Sequence, residues 1–161
     1  MNDLLTLCRD MPLVSLAAGE VFLREGERSG RLYVLAEGAI EVYRGSVTIA
    51  LVTEPGAVFG EMALLLGVPH TAHVRAAAAA KLHVVENALA YLKATPALLV
   101  PIAQLLARRL QSSTTYLVDL KRQFQHHSDH FAMMDEVLES LTHQQGAGFT
   151  PAGGLPAEPS A

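Results

Sequence analysis

Glycine spacing divides this chain more sharply than any other feature of its sequence. Between residues 13 and 85 a glycine recurs about every ten residues, at Gly19, Gly26, Gly30, Gly38, Gly45, Gly56, Gly60 and Gly67. From Pro96 to about His143 there is none. Short segments closed by glycine turns are typical of antiparallel sheets, whereas a long stretch without glycine is typical of helix. The spacing predicts a β-domain followed by a helical segment.

Strand-like segments lie between these glycines. They are residues 20–23, 31–35, 39–43, 47–51 and, as the last strand, 81–85. In the third of them Ile40 and Val42 alternate with Glu41 and Tyr43, as in a strand that is buried on one face. Regular short strands with glycine turns predict an antiparallel barrel or sandwich.

Apolar residues repeat every 3.5 residues along the glycine-free segment. Steps of four and three from Leu106 reach positions 110, 113, 117, 120, 124, 127, 131, 134, 138 and 141, and nine of the eleven positions are apolar. Only Ser113 and His127 are polar. This repeat favours a seam between two helices, and so a homodimer, over a helix that lies on its own barrel. A break is expected near residues 127–129, where Ser128 can cap a second helix.

The pattern predicts three regions: a β-domain with an N-terminal helical segment at 1–95, a C-terminal helix at 96–145, and a disordered tail at 146–161 that is rich in glycine and proline. The net charge of -4 argues against nucleic acid as a partner. No uncharged apolar stretch reaches 18 residues, which argues against a membrane. Cys8 has no partner for an internal disulfide, and no signal peptide precedes it, so a cytoplasmic protein is expected.

We find no candidate catalytic residues, because the sequence contains no nucleophile–base arrangement, phosphate-binding P-loop or paired carboxylates. An enzyme is therefore not expected. His126 and His130 are four residues apart and can share a metal ion, but no further ligand stands at tight spacing. A solvated helix face is the better interpretation, and no metal is expected. His127 at its seam position is a weaker candidate for pH-dependent pairing.

The residues that indicate a ligand-binding site lie in the segment from Pro55 to Ala76. It reads as a strand end, a glycine turn at Gly60, one short helical turn, a second turn at Gly67 and a new strand. Exposed N–H groups of Met62 and Ala63 at a helix start favour an anion. A carboxylate beside them, that of Glu61, suits the hydroxyls of a sugar, so the pattern indicates a sugar phosphate as ligand.

The same segment resembles the cyclic-nucleotide-binding domain family. The resemblance rests on Gly60-Glu61-Met62-Ala63-Leu64-Leu65, Gly67, Pro69, Thr71-Ala72 and Val74-Arg75-Ala76, with upstream matches at 19–22, 25–27, 32–35 and 38–42. It covers residues 13–125 and implies a mainly β fold with helices, a jelly-roll-like β-roll (a double-stranded β-helix) followed by a long dimerisation helix.

In this resemblance the ligand is cAMP or cGMP, and no other cofactor is implied. In the family, this segment is the phosphate-binding cassette. Its implied ligand-binding residues here are Phe59, Gly60, Glu61, Met62, Ala63, His70 and Thr71. Glu61 corresponds to the residue that binds the ribose 2′-hydroxyl, and the amides of the short helix to those that bind the cyclic phosphate. The Thr71 hydroxyl is compatible with either nucleotide.

One position departs from the family pattern, because His70 stands where the cassette has an arginine. An arginine offers a permanent charge and a forked pair of donors, whereas histidine offers one donor and is mostly neutral at pH 7. The loss is worth on the order of 1.5–3 kcal/mol. His70 is then either a weaker, pH-dependent phosphate ligand, which the retained Glu61 favours, or the sign of a pocket that has drifted from cyclic nucleotides.

A second resemblance lies on the helix, where residues 107–114 look like the central helix of the bacterial catabolite activator proteins. It implies that Ser113 and Thr114 contact the base near a dimer axis; small residues tolerated where the helices diverge are the alternative. Residues 126–161 contain no lysine or arginine, so the DNA-binding module of those regulators is not expected.

The sequence thus predicts a bacterial ligand-sensing regulator that binds a cyclic nucleotide, signals through its dimer helix and is read by an unidentified protein partner. The alternative is a degenerate fold that serves as a nucleotide-independent interaction scaffold.

Overall fold

A computed structural model describes residues 3–125 and 132–143 of the chain. The chain divides into two compact units, Met1–Gln104 and Leu105–Ala161. Among its described residues the first unit contains eight strands and three short helices. The strands are β1 (Leu13–Leu16), β2 (Val21–Leu23), β3 (Leu32–Glu37), β4 (Ile40–Arg44), β5 (Val47–Val52), β6 (Val58–Phe59), β7 (His73–Ala76) and β8 (Ala80–Val85), and the helices are α1 (Asp3–Leu7), α2 (Glu61–Leu66) and α3 (Ala88–Ala94).

The strands form two antiparallel sheets of four, in the orders β1-β8-β3-β6 and β2-β7-β4-β5. Neighbours in each sheet are mostly distant in sequence, as expected when one long antiparallel ribbon is wound into a roll. All five strand segments expected from the glycine spacing are strands. The prediction of a jelly-roll-like β-roll followed by a long helix is confirmed.

The core lies in the β-roll. Leu35, Ile40 and Leu82 are fully buried in one cluster, and each contributes about 1.5–3 kcal/mol through burial. The alternation expected in β4 is present, because Ile40 joins this cluster and Val42 packs against it. On the opposite face the Arg75 guanidinium lies 4.6 Å from the Tyr43 ring centroid and donates to the Glu41 carboxylate at 2.6 Å.

The long helix begins where the sequence predicts it. A single 3-10 turn, Pro96–Leu98, leads into α4 (Leu99–Gln123), and α5 (Ala132–His143) follows. Pro101 is the third residue of α4, where its missing N–H leaves no hydrogen bond unmade. The expected cap Ser128, the pair His126 and His130, and the tail at 146–161 lie outside the described residues.

Among the described residues no single helix is long and apolar enough to cross a membrane, and only the bent pair Ala88–Ala94 and Pro96–Gln123 reaches that length and hydropathy together.

Candidate functional site

Gly60 positions the candidate site between β6 and α2. Its φ of +90° lies in the left-handed region, which only glycine adopts without strain. A Cβ added there would lie 2.6 Å from the backbone oxygen of Arg31, the last residue of the β2–β3 loop. The backbone therefore turns sharply into α2 while touching the β2–β3 loop, and Gly67, with a φ of +67°, ends the helix. We call residues 59–71 the cassette.

Glu61 is the buried acid of the cassette. Its side chain is the first of α2 and only 3% of its surface is exposed, whereas the next residue, Met62, is 49% exposed. A carboxylate is costly to bury unless it is hydrogen-bonded. In the described part of the chain no buried side-chain nitrogen or oxygen lacks a hydrogen-bond partner. The fold thus accommodates a carboxylate at a position where an apolar residue would be cheaper to bury.

His70 is built into the β2–β3 loop by both its backbone and its side chain. Its N–H donates to the Glu27 carbonyl at 2.9 Å, and its carbonyl accepts from Gly26 at 2.8 Å. Its ring Nε2 lies 2.9 Å from the Ser29 hydroxyl, and the residue is 7% exposed. Burial lowers the pKa of His70, against a smaller opposing effect of the Glu27 charge. The ring is therefore neutral at pH 7 and hydrogen-bonded to Ser29.

This burial makes the stability of the protein dependent on pH. An unfolded histidine has a pKa of about 6.5, so on acidification the unfolded chain takes up this proton before the folded one does. The free energy of unfolding should then fall below about pH 6.5, by about 1.4 kcal/mol for each unit by which burial depresses the pKa. Urea unfolding at pH 7.5 and pH 5.5 measures the fall, and His70→Gln should show a smaller one. An equal fall in both proteins would contradict this account.

The other predicted residues belong to three different parts of the chain. Thr71 is exposed, and its carbonyl accepts from the Arg44 Nε at 2.8 Å. The Phe59 ring is buried against Phe22, with 6.0 Å between the ring centroids, so its side chain belongs to the core. Ser113 is exposed in the second unit, and the Thr114 hydroxyl donates to the Leu110 carbonyl at 2.9 Å within its own helix. That Ser113 and Thr114 contact the base remains a prediction.

The residues that surround His70 were not predicted from the sequence. Ser29 and Arg28 belong to the β2–β3 loop, 41 and 39 residues away from the cassette residues they contact. The Arg28 guanidinium donates to the Gly67 carbonyl at 2.9 Å. Only the strand register that brings residues 26–29 beside residue 70 reveals these contacts.

The described residues contain no group of three or more His, Cys, Asp or Glu arranged to hold a metal ion.

Comparison with known proteins shows what this arrangement resembles. Residues 13–89 match the family described as "Cyclic nucleotide-binding domain". The cGMP-dependent protein kinase egl-4 of Caenorhabditis briggsae is 36% identical over 72 residues, which are 45% of this chain. The match spans only 10% of that kinase.

Two solved structures extend the comparison. A cyclic nucleotide-binding domain from Methylobacillus flagellatus KT has a TM-score of 0.61 and 26% identity, over 71% of this chain and 70% of that one. The catabolite activator protein of Thermus thermophilus has a TM-score of 0.58 and 24% identity, over 88% of this chain and 81% of that one. The second likeness concerns the fold alone.

Proposed function

We propose that this chain, whose residues 13–89 match the cyclic nucleotide-binding domain family, is a cytoplasmic regulator that binds cAMP or cGMP in its cassette and carries out no chemistry itself. The buried Glu61 is the observation that carries the proposal. A carboxylate held at 3% exposure beside a left-handed glycine suits the recognition of ribose hydroxyls.

The residues of the cassette take separate roles in this proposal. Glu61 accepts a hydrogen bond from the ribose, while the backbone amides of Met62 and Ala63 face the cyclic phosphate. Thr71 offers its exposed hydroxyl beside them. His70 holds the cassette against the β2–β3 loop through its two backbone hydrogen bonds. Since its ring is neutral at pH 7, it gives the phosphate no full positive charge.

Self-association through α4 is the second part of the proposal. Large apolar side chains of this helix are exposed in the single chain: Leu110 to 46% and Tyr116 to 65%. Leu110 is a seam position of the 3.5-residue repeat, so a second copy is a suitable cover for it. Sedimentation equilibrium should give twice the chain mass, and a monomer at high micromolar concentration would exclude the dimer.

Calorimetric titration with cAMP and cGMP tests the binding function. We expect micromolar binding of at least one nucleotide by the wild-type protein at pH 8, where His70 is neutral. His70→Arg should bind at least as tightly as the wild-type protein, because a forked, charged donor replaces a neutral ring. If neither protein binds either nucleotide, cyclic-nucleotide sensing by this chain is excluded.

A nucleotide-independent scaffold is the second candidate function, and the contact of His70 with Ser29 favours it. The Nε2 of His70 lies 2.9 Å from the Ser29 hydroxyl of the β2–β3 loop, so this nitrogen is engaged within the protein and not with a ligand. If the protein is such a scaffold, calorimetric titration should show no binding of either nucleotide to the wild-type protein, whereas His70→Arg should bind. An unidentified protein partner would then read the surface of the protein without a nucleotide.

A further inference from the structure

A cavity of about 250 Å³ lies between the β2–β3 loop and the cassette. Gly60, Ala63 and His70 line it from the cassette, and Arg28 and Arg31 line it from the loop. The cavity is several times the ~30 Å³ that one water occupies in the liquid, so it has room for a phosphoryl group. Two arginines therefore line the same cavity as His70, the cassette position that departs from the family pattern.

The two arginines differ in how their charges are compensated. The Arg31 Nε lies 2.9 Å from the Glu86 carboxylate, which forms an ion pair with it. Arg28 donates to the Gly67 carbonyl, a neutral acceptor. Within residues 3–125 and 132–143, no carboxylate lies within ion-pair distance of Arg28. The positive charge of Arg28 is thus the one at this cavity that has no anionic partner among the described residues.

A third arginine contacts the cassette but is less suited to bind an anion. Arg44 donates to the Thr71 carbonyl at 2.8 Å, and its Nε lies 3.8 Å from a Glu25 carboxylate oxygen. Its charge is therefore partly compensated, and it does not line the cavity.

The loop holds Arg28 in a fixed place relative to the cassette. The backbone hydrogen bonds between residues 26–27 and His70, at 2.8 and 2.9 Å, lie directly before it in sequence. Its bond to Gly67 engages one of the five guanidinium N–H groups. The remaining donors include a parallel pair of the kind that binds two oxygens of a phosphate.

We propose that Arg28 supplies the guanidinium contact to the phosphate of the bound nucleotide, in place of the arginine that His70 replaces in the cassette. This inference rests on the proposed binding of a cyclic nucleotide. It places the anionic part of the ligand at the edge of the cassette that faces the β2–β3 loop. The burial that lowers the pKa of His70 leaves this arginine as the main positive charge there.

A double-mutant cycle with calorimetric titration of cAMP and cGMP tests the inference. Arg28→Gln should weaken binding about ten- to a hundredfold, since a charge-assisted contact is lost. The affinity of Arg28→Lys should lie between those of the wild-type protein and Arg28→Gln, because lysine keeps the charge but lacks the forked pair of donors. In the His70→Arg background Arg28→Gln should cost less than about threefold, because the cassette arginine then makes the contact. Arg24→Gln, an exposed arginine of the same loop outside the cavity, is the control and should bind as wild type.

The outcomes separate the inference from the proposed function. Wild-type binding that Arg28→Gln leaves unchanged would overturn the role of Arg28 and keep the cyclic-nucleotide function. An equal loss in both backgrounds would also overturn it, because it would assign Arg28 a structural role through Gly67. Silence of the wild-type protein with both nucleotides would overturn the proposed function and this inference together.

Discussion

Glu61→Gln should weaken the binding of cyclic nucleotide about ten- to a hundredfold. The substitution keeps the shape of the side chain and removes its charge, so the ribose hydroxyls lose a charge-assisted acceptor worth about 1.5–3 kcal/mol. Because Glu61 is only 3% exposed, water does not take over its role. Calorimetric titration at pH 8 measures the change, and circular dichroism shows whether the variant remains folded.

Glu54→Gln is the matched control for this change. Glu54 is an exposed carboxylate just before β6, outside the cassette, and its replacement should leave the affinity unaltered. If Glu61→Gln binds within twofold of wild type while remaining folded, the carboxylate does not contact the ligand. The sugar would then have to be recognised elsewhere, and the scaffold function would gain support.

Gly60→Ala should destabilise the fold and disorganise the cassette together. An alanine at a φ of +90° costs about 1–3 kcal/mol. Its Cβ would also stand 2.6 Å from the Arg31 backbone oxygen, which no side-chain rotation can relieve. The two effects together should lower the midpoint of thermal unfolding by roughly 4–12 °C or more. Nucleotide binding should fall as well, because the start of α2 must move away from Arg31.

Gly19→Ala separates the two causes. Gly19 has the same φ of +90°, but a Cβ added there would meet nothing within 4 Å. Urea unfolding of both variants therefore isolates the contact with Arg31 as the difference between their losses of stability. Equal losses would show that the Arg31 contact yields to the extra atom, and that backbone conformation alone requires glycine at position 60.

The neutral ring of His70 is engaged with Ser29 and gives a phosphate no full positive charge. In the proposed function the affinity for the nucleotide then rests on the backbone amides, on Glu61 and on Arg28.

Local sequence was sufficient for most of the strands, though not for β1, and for the start of the long helix. The alternation of Ile40 and Val42 with Glu41 and Tyr43 marks β4 because successive side chains of a strand point to opposite faces. Glycines at 56, 60 and 67 mark the turns around α2, since few other residues adopt their backbone angles. Pro96 marks the helix start because its fixed φ suits a first turn.

The local sequence pattern therefore predicted an antiparallel barrel or sandwich followed by a long helix, since strands, turns and helix starts depend on residues close together in the chain. The β-roll, the cassette and the unusual position of His70 were predicted from the resemblance to a known family. Only the tertiary structure decided what His70 contacts. Its neutral state, its hydrogen bond to Ser29 and the cavity that it shares with Arg28 arise from a register between segments some forty residues apart. Such pairings depend on how the whole roll closes, because burial and hydrogen bonding across it select one register from many that the local pattern allows.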